Sequence, residues 1–327
     1  MADRASTLLS SPSNKKQNKR LGPAWVLFLC VYAIVSLMKA LLIYSHNTGS
    51  NKRGFANKLS YVKERLSNVF DVLECVCTLS KEEATRLIHE KGSDFDSLII
   101  VGGDGTFNNA LTAVMGLEKR PTIGYLNFGT LGDVGKAFGL KNDYKKDVEI
   151  ILEQVSKVYD VGKVTSDDNT YYFAYTCCIG AYSDIPYSVE RKRKRQVGKL
   201  AYYEKAVGEA FKKTLIKYKA RLDDKVDIEG ESPFLMIMNG THMAGFTVNK
   251  QCVYDDGKFE LYVTDKGPFN GLLHYMPFKN ARPFTIGKCS IDAPASEYWC
   301  LDGEKGPSGK ITIEVCPKAI KAYSKLP

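Results

Sequence analysis

From Ala40 onward, short apolar runs alternate with amphipathic ones. Ala40-Leu41-Leu42-Ile43-Tyr44 predicts a strand and Asn47-Thr48-Gly49-Ser50 a turn, after which Leu59, Val62, Leu66 and Val69 fall at helical spacing. A second strand is expected over Val72 to Thr78. Ser80 and Glu83 then form a capping box ahead of a helix carrying Ala84, Leu87 and Ile88. Ser97 to Val101 reads as a buried strand, Thr106 to Met115 as a helix, and Thr122 to Leu126 as a further strand. Apolar strands separated by helices are those of a parallel sheet covered by helices, so the first half is expected to be an α/β domain.

Beyond about Val161 the texture changes to strands rich in Tyr, Phe, Thr and Cys: Tyr171 to Cys178, Phe234 to Met238, Phe259 to Val263 and Ile311 to Val315. These predict a mainly antiparallel β domain. One long helix interrupts it, Lys199 to Lys217, with Leu200, Tyr203, Val207, Phe211 and Leu215 on one face. At the other end, the uncharged segment Leu21 to Met38 follows the basic residues Lys15, Lys16, Lys19 and Arg20. Three readings of residues 1–37 stay open: a monotopic anchor, a start set too early with Met38 the true first residue, or a genuine span.

Composition narrows the classes. The 327 residues, 44% hydrophobic and 25% charged, are ordinary globular material and enough for two domains. The net charge of +9 favours polyanionic contacts, such as nucleotides or anionic membrane surfaces. Nine cysteines without a C-x-x-C pair read as reduced cytosolic thiols, and four scattered histidines give no zinc signature. No recognisable nucleic-acid module is present, so nucleic acid is not an expected partner.

The chemistry is expected at Gly102-Gly103-Asp104-Gly105-Thr106, between a buried strand and a helix. Glycines let the backbone approach a ligand closely, and helix-start N–H groups favour an anion. The bland alternative is a glycine-rich turn with no ligand, but three glycines exceed what a turn needs. A carboxylate beside phosphates is repulsive unless it holds Mg²⁺ or takes a proton, so Asp104 points to phosphoryl transfer unless it only caps the helix. Arg191-Lys192-Arg193-Lys194-Arg195 suits anionic lipid headgroups, or is simply a solvated loop.

These residues resemble the diacylglycerol kinase catalytic family, which includes bacterial lipid kinases and sphingosine kinases. The resemblance covers about residues 38 to 327. The glycine loop matches closely, Asn47 to Ser50 match an opening Asn-Pro-x-Ser-Gly loop loosely, and Asn127-Phe128-Gly129-Thr130-Leu131-Gly132-Asp133 stands where the family has Pro-x-Gly-Thr-x-Asn-Asp. Tyr159-Asp160-Val161-Gly162, Gly198 to Tyr202, Asn239-Gly240, Asp255 to Glu260 and Asp302-Gly303-Glu304 follow in the family's order.

The resemblance implies a Rossmann-like three-layer ATP domain over 38–162, with 305–327 returning to it, and a β-sandwich lipid domain over 163–304. The site would lie in the interdomain cleft, and Ile311 to Val315 are expected to pack on the first domain. Implied nucleotide contacts are Asn47, Thr48, Gly49, Ser50, Thr78, Gly102, Gly103, Asp104, Gly105, Thr106, Asn108, Gly129 and Thr130. The implied catalytic residues are Asp302, Asp104 and Glu304, with the general base placed on Asp302, Asp104 as the competing assignment, and a solvated Asp-Gly hairpin as the plain alternative. Asp256, with the carbonyls of Val253 and Lys258, is the implied Mg²⁺ site, against a turn with no metal.

The expected reaction is ATP-dependent phosphorylation of diacylglycerol or a related lipid, at the cytoplasmic face of a membrane. A homodimer through an exposed sheet edge is open. Two alternatives differ in class. An NAD kinase has a similar Asn-x-Gly-x-Leu-Gly segment, and an inactive lipid or nucleotide sensor would fit the replacements at Asn127 and Gly132.

Overall fold

The computed structural model describes residues 37–45, 52–129, 132–167, 169–181, 183–184, 215–243, 246–249, 252–264 and 283–326. Strands β1 (Lys39–Ser45), β2 (Val72–Thr78), β3 (Ser97–Gly102) and β4 (Thr122–Asn127) run parallel in the order β2-β1-β3-β4. Every residue of β3 is buried, so both faces of the sheet are covered, which is why this strand is apolar without alternation. The covering helices are α1 (Lys52–Leu66), α2 (Lys81–Lys91), α3 (Asp104–Met115), α4 (Asp133–Ala137) and α5 (Tyr144–Leu152). Helix α1 packs against α5 and α2 against α3.

Local signals set most of these boundaries. The Ser80 Oγ accepts the Glu83 N–H at 3.1 Å, so the expected cap forms, while the Glu83 carboxylate reaches back past Ser80 to the Leu79 N–H at 2.7 Å. Helix α1 stops earlier than its spacing suggests. Val69 lies in the following turn, its N–H on the Leu66 carbonyl at 3.0 Å.

The second half contributes β5 (Ser156–Ser166), β6 (Asn169–Phe173), β7 (Thr176–Gly180), β8 (Ile216–Leu222), β9 (Val226–Ser232) and β10 (Phe234–Met238). A short ribbon of β11 (His242–Met243) and β12 (Phe246–Thr247) follows. The remaining strands are β13 (Phe259–Val263), β14 (Phe284–Ile286), β15 (Lys288–Asp292), β16 (Tyr298–Leu301), β17 (Glu304–Ser308) and β18 (Ile311–Tyr323). One sheet runs β14-β13-β10-β7-β16-β17. Strands β18, β15, β8 and β9 instead extend the parallel sheet beyond β4, with β5 pairing β18 and β6. Inward residues of both sheets, among them Ile237, Phe259 and Trp299 of one and Val164, Phe173, Ile291 and Ile313 of the other, form a second apolar core, as in a β-sandwich.

Three expectations change. Tyr171 to Cys178 is two strands in different sheets, β6 and β7, broken at Ala174–Tyr175. Leu215 to Lys217, expected to end a helix, leads into strand β8, where Ile216 is buried; residues 199–214 lie outside the described residues. Ile311 to Val315 do not return to the parallel strands. Ile311, Thr312, Ile313 and Glu314 pair with β15, and only the far end of β18 reaches β4, through Ala322 opposite Ile123.

The two stretches of β18 are joined across a bulge between Cys316 and Ile320, while β5 accompanies the strand on both sides of it. The bulge is pinned by the buried Asp160 carboxylate, which accepts the N–H of Lys318, at φ +50°, and of Gly257, each at 2.6 Å. Residues 38–327 thus form one compact unit. Among the described residues no helix is long and apolar enough to cross a membrane, and eight cysteines are free thiols.

Candidate active site

The glycine loop leaves β3 with Gly103 as N-cap of α3, and Thr106 and Phe107 both donate their N–H to the Gly103 carbonyl. The Phe128 N–H donates to the Gly102 carbonyl at 2.8 Å, which draws the residues after β4 alongside the loop. Asp104, partly buried, is the first residue of α3. Its carboxylate accepts the Gly132 N–H at 3.1 Å and faces the buried Tyr125 hydroxyl at 3.3 Å. Burial pushes its pKa up to about 7, the nearby Asp133 raises it further, and the N–H groups of Val134 and Asp133 with the Tyr125 hydroxyl oppose the rise.

Asp302 and Glu304 arrive on the turn between β16 and β17. Asp302 (φ +49°) and Gly303 (φ +86°) are both left-handed, the two-residue geometry that Asp-Gly favours. The turn is not solvated, because Asp302 is 0% exposed. Its carboxylate accepts the N–H groups of Ala174 at 2.7 Å, Tyr175 at 3.0 Å and Thr176 at 3.1 Å, and the Asn108 Nδ2–H at 3.3 Å. The break between β6 and β7 frees these N–H groups. Burial raises the Asp302 pKa to about 6, and the four donors oppose the rise.

Glu304 is placed differently. Its side chain is 39% exposed and pairs with Lys81 Nζ at 3.0 Å. It lies directly over the glycine loop: a Cβ at residue 105 would overlap Glu304 Oε1, so a side chain there would displace the Glu304 carboxylate from the loop. A carboxylate filled by four donors and shut from solvent is a poor proton acceptor for an incoming hydroxyl, whereas Glu304 is accessible.

The other expected residues divide. Gly102, Gly103, Gly105, Thr106 and Gly129 come together at the loop. Asn108 faces Asp302 and the Tyr172 carbonyl, acting as a support for the carboxylate. Thr78 is buried, its hydroxyl 3.5 Å from the Tyr44 carbonyl. Asn47, Thr48, Gly49, Ser50, Thr130 and the basic run Arg191 to Arg195 lie outside the described residues.

At the Asp255-Asp256-Gly257 corner, Asp256 Oδ1 accepts the Lys258 N–H at 2.9 Å, an Asx turn. Among the described residues no group of three or more His, Cys, Asp or Glu is arranged to hold a metal. The donor chemistry nonetheless suits a hard cation, since only oxygens are offered and the carboxylates crowd. Burial and then the nearby carboxylates, Asp255 and Asp256 among them, raise the Asp160 pKa; burial chiefly lifts Glu260 to about 7.

A glycine loop at a strand-to-helix junction, with a carboxylate from a distant hairpin above it, is an arrangement suited to holding a phosphate group. Residues 39–164 match the family described as "Diacylglycerol kinase catalytic domain". A diacylglycerol kinase of Staphylococcus carnosus (strain TM300) is 30% identical over 243 residues, covering 73% of this chain and 76% of the relative. One from Staphylococcus saprophyticus is 28% identical over 240 residues, with the same coverages. The crystal structure of a diacylglycerol kinase from Bacillus anthracis superposes with a TM-score of 0.71 at 21% identity, over 89% of this chain and 98% of that one, which shows the shared fold. The chain belongs to the diacylglycerol kinase catalytic-domain family.

Proposed function

We propose that this chain is an ATP-dependent lipid kinase that phosphorylates the hydroxyl of diacylglycerol, or of a related lipid, to give phosphatidic acid or its counterpart. The observation that carries the reading is Glu304 lying against Gly105, an accessible carboxylate beside an anion-binding loop. ATP would place its phosphates at the α3 N-terminus. The lipid hydroxyl oxygen bonds to the γ-phosphorus as the bond to the β-phosphate bridging oxygen breaks, and the hydroxyl proton passes to Glu304 Oε. Asp302 holds the hairpin and the 174–176 segment in place, and Lys81 orients Glu304. Asp256 with the Val253 and Lys258 carbonyls is the oxygen set that would hold Mg²⁺, whose charge would offset the crowded carboxylates there. A cytoplasmic site at an anionic membrane surface, with Arg191 to Arg195 as a docking element, supplies both substrates.

The test offers labelled ATP and Mg²⁺ to the full chain with either dioleoylglycerol in anionic vesicles or NAD. Label in phosphatidic acid is the expected result. Label in NADP instead would establish the second reading, an NAD kinase, which the Asn127 to Gly132 segment favours. ATP binding without turnover on either acceptor would mark a sensor.

A further inference from the structure

Asn142 lies in the turn before α5 at φ +57°, outside every motif discussed above. Its amide is used in both directions. The Oδ1 accepts the Asn127 Nδ2–H at 3.2 Å, and the Nδ2 donates to the Gly132 carbonyl at 3.1 Å. Asn127 carries the connection on, its Oδ1 accepting the Gly129 N–H at 2.8 Å and facing the Tyr125 hydroxyl at 3.3 Å. That hydroxyl also lies 3.3 Å from Asp104 Oδ1, while Asp104 Oδ2 accepts the Gly132 N–H at 3.1 Å. The contacts therefore close into a ring: Asn142, Asn127, Tyr125, Asp104, Gly132 and back to Asn142. Gly132, at φ +64°, permits it, because a Cβ there would overlap both Asn127 Nδ2 and Asn142 Oδ1.

We infer that Asn142 is a positioning residue: acting through Asn127, it fixes residues 129 and 132 against the glycine loop and so sets the width of the cradle for a nucleotide's phosphates. Glycine-flanked backbone has much conformational freedom to lose, and the ring removes it before any ligand arrives. Asn127 and Gly132, the two departures from the family pattern, are thereby coupled: the side chain missing at 132 leaves room for the amide at 127. The link to nucleotide rests on the function proposed above; the ring does not.

The test uses Asn142→Gly, which keeps the left-handed backbone and deletes the amide, in the full chain. The Gly129 and Gly132 N–H groups, neither bonded to Asn142, should exchange with solvent about ten-fold faster, the scale of one lost hydrogen bond, while Ile99 to Val101 in β3 exchange as before. The dissociation constant for ATP should weaken by a similar factor, with kcat at saturating ATP nearly unchanged. Asn142→Asp, which keeps the acceptor for Asn127, should recover part of the loss, and adding Asn127→Ala to Asn142→Gly should cost little more, as coupled residues do. Unchanged exchange at Gly129 and Gly132, or a kcat loss with ATP affinity intact, would overturn the inference. If wild-type protein binds no ATP and the two amides still exchange faster, the ring stands and only the nucleotide reading falls.

Discussion

Asp302 and Glu304 are two residues apart on one turn and do opposite work. Asp302 spends its carboxylate on three strand-break N–H groups and Asn108, so Asp302→Ala should leave those buried donors unsatisfied and cost about 3 kcal/mol or more, read as a fall in the urea midpoint. Glu304→Gln should instead keep stability and ATP affinity while lowering kcat about 100-fold, the typical worth of a general base. If turnover survives in Glu304→Gln, the proton goes elsewhere. In sequence the pair was legible as two carboxylates on a glycine turn. Their burial was not, because it depends on a break between β6 and β7 that an unbroken run of Tyr, Phe and Cys conceals. Asn142 was illegible for a similar reason: its partners are brought to it by the fold.

At the scale of elements, period and capping were sufficient for β1 to β4 and for α2 and α3, where local signals and burial agree, while α1 ends before its apolar spacing does. The Ser80 cap can be tested singly. Ser80→Ala should destabilise by about 1 kcal/mol, seen in thermal unfolding, with the glycine loop untouched. Strand order was less legible, since β18 looks the same in sequence whichever sheet receives it. Its division between β15 and β4 depends on the bulge at Cys316 to Ile320, and that bulge depends on Asp160, more than a hundred residues upstream. No local window holds both ends of that contact.

For the molecule as a whole, two carboxylates with raised pKa predict an unusual response to pH. Asp104 and Asp302 titrate near 7 and near 6 when folded, and near 4 when unfolded, so between those values the native state binds more protons. Their joint contribution to stability is therefore fully present at low pH, declines as pH rises from about 4 to 7 by up to about 1.4 kcal/mol per unit for each group, and is flat above. Urea titrations at pH 5 and pH 8 should show a smaller difference in Asp104→Asn than in wild type; an equal difference would show that Asp104 does not titrate in this range. The sharing of β18 also bears on how the chain folds. The parallel sheet bordering the glycine loop lacks its neighbour on the β4 side until residues 311–323 exist, so a nascent chain on the ribosome carries β4 as an open edge until that strand emerges. Docking of this one strand closes that edge and completes the sandwich core in the same event, which ties the two halves of the fold into a single cooperative step.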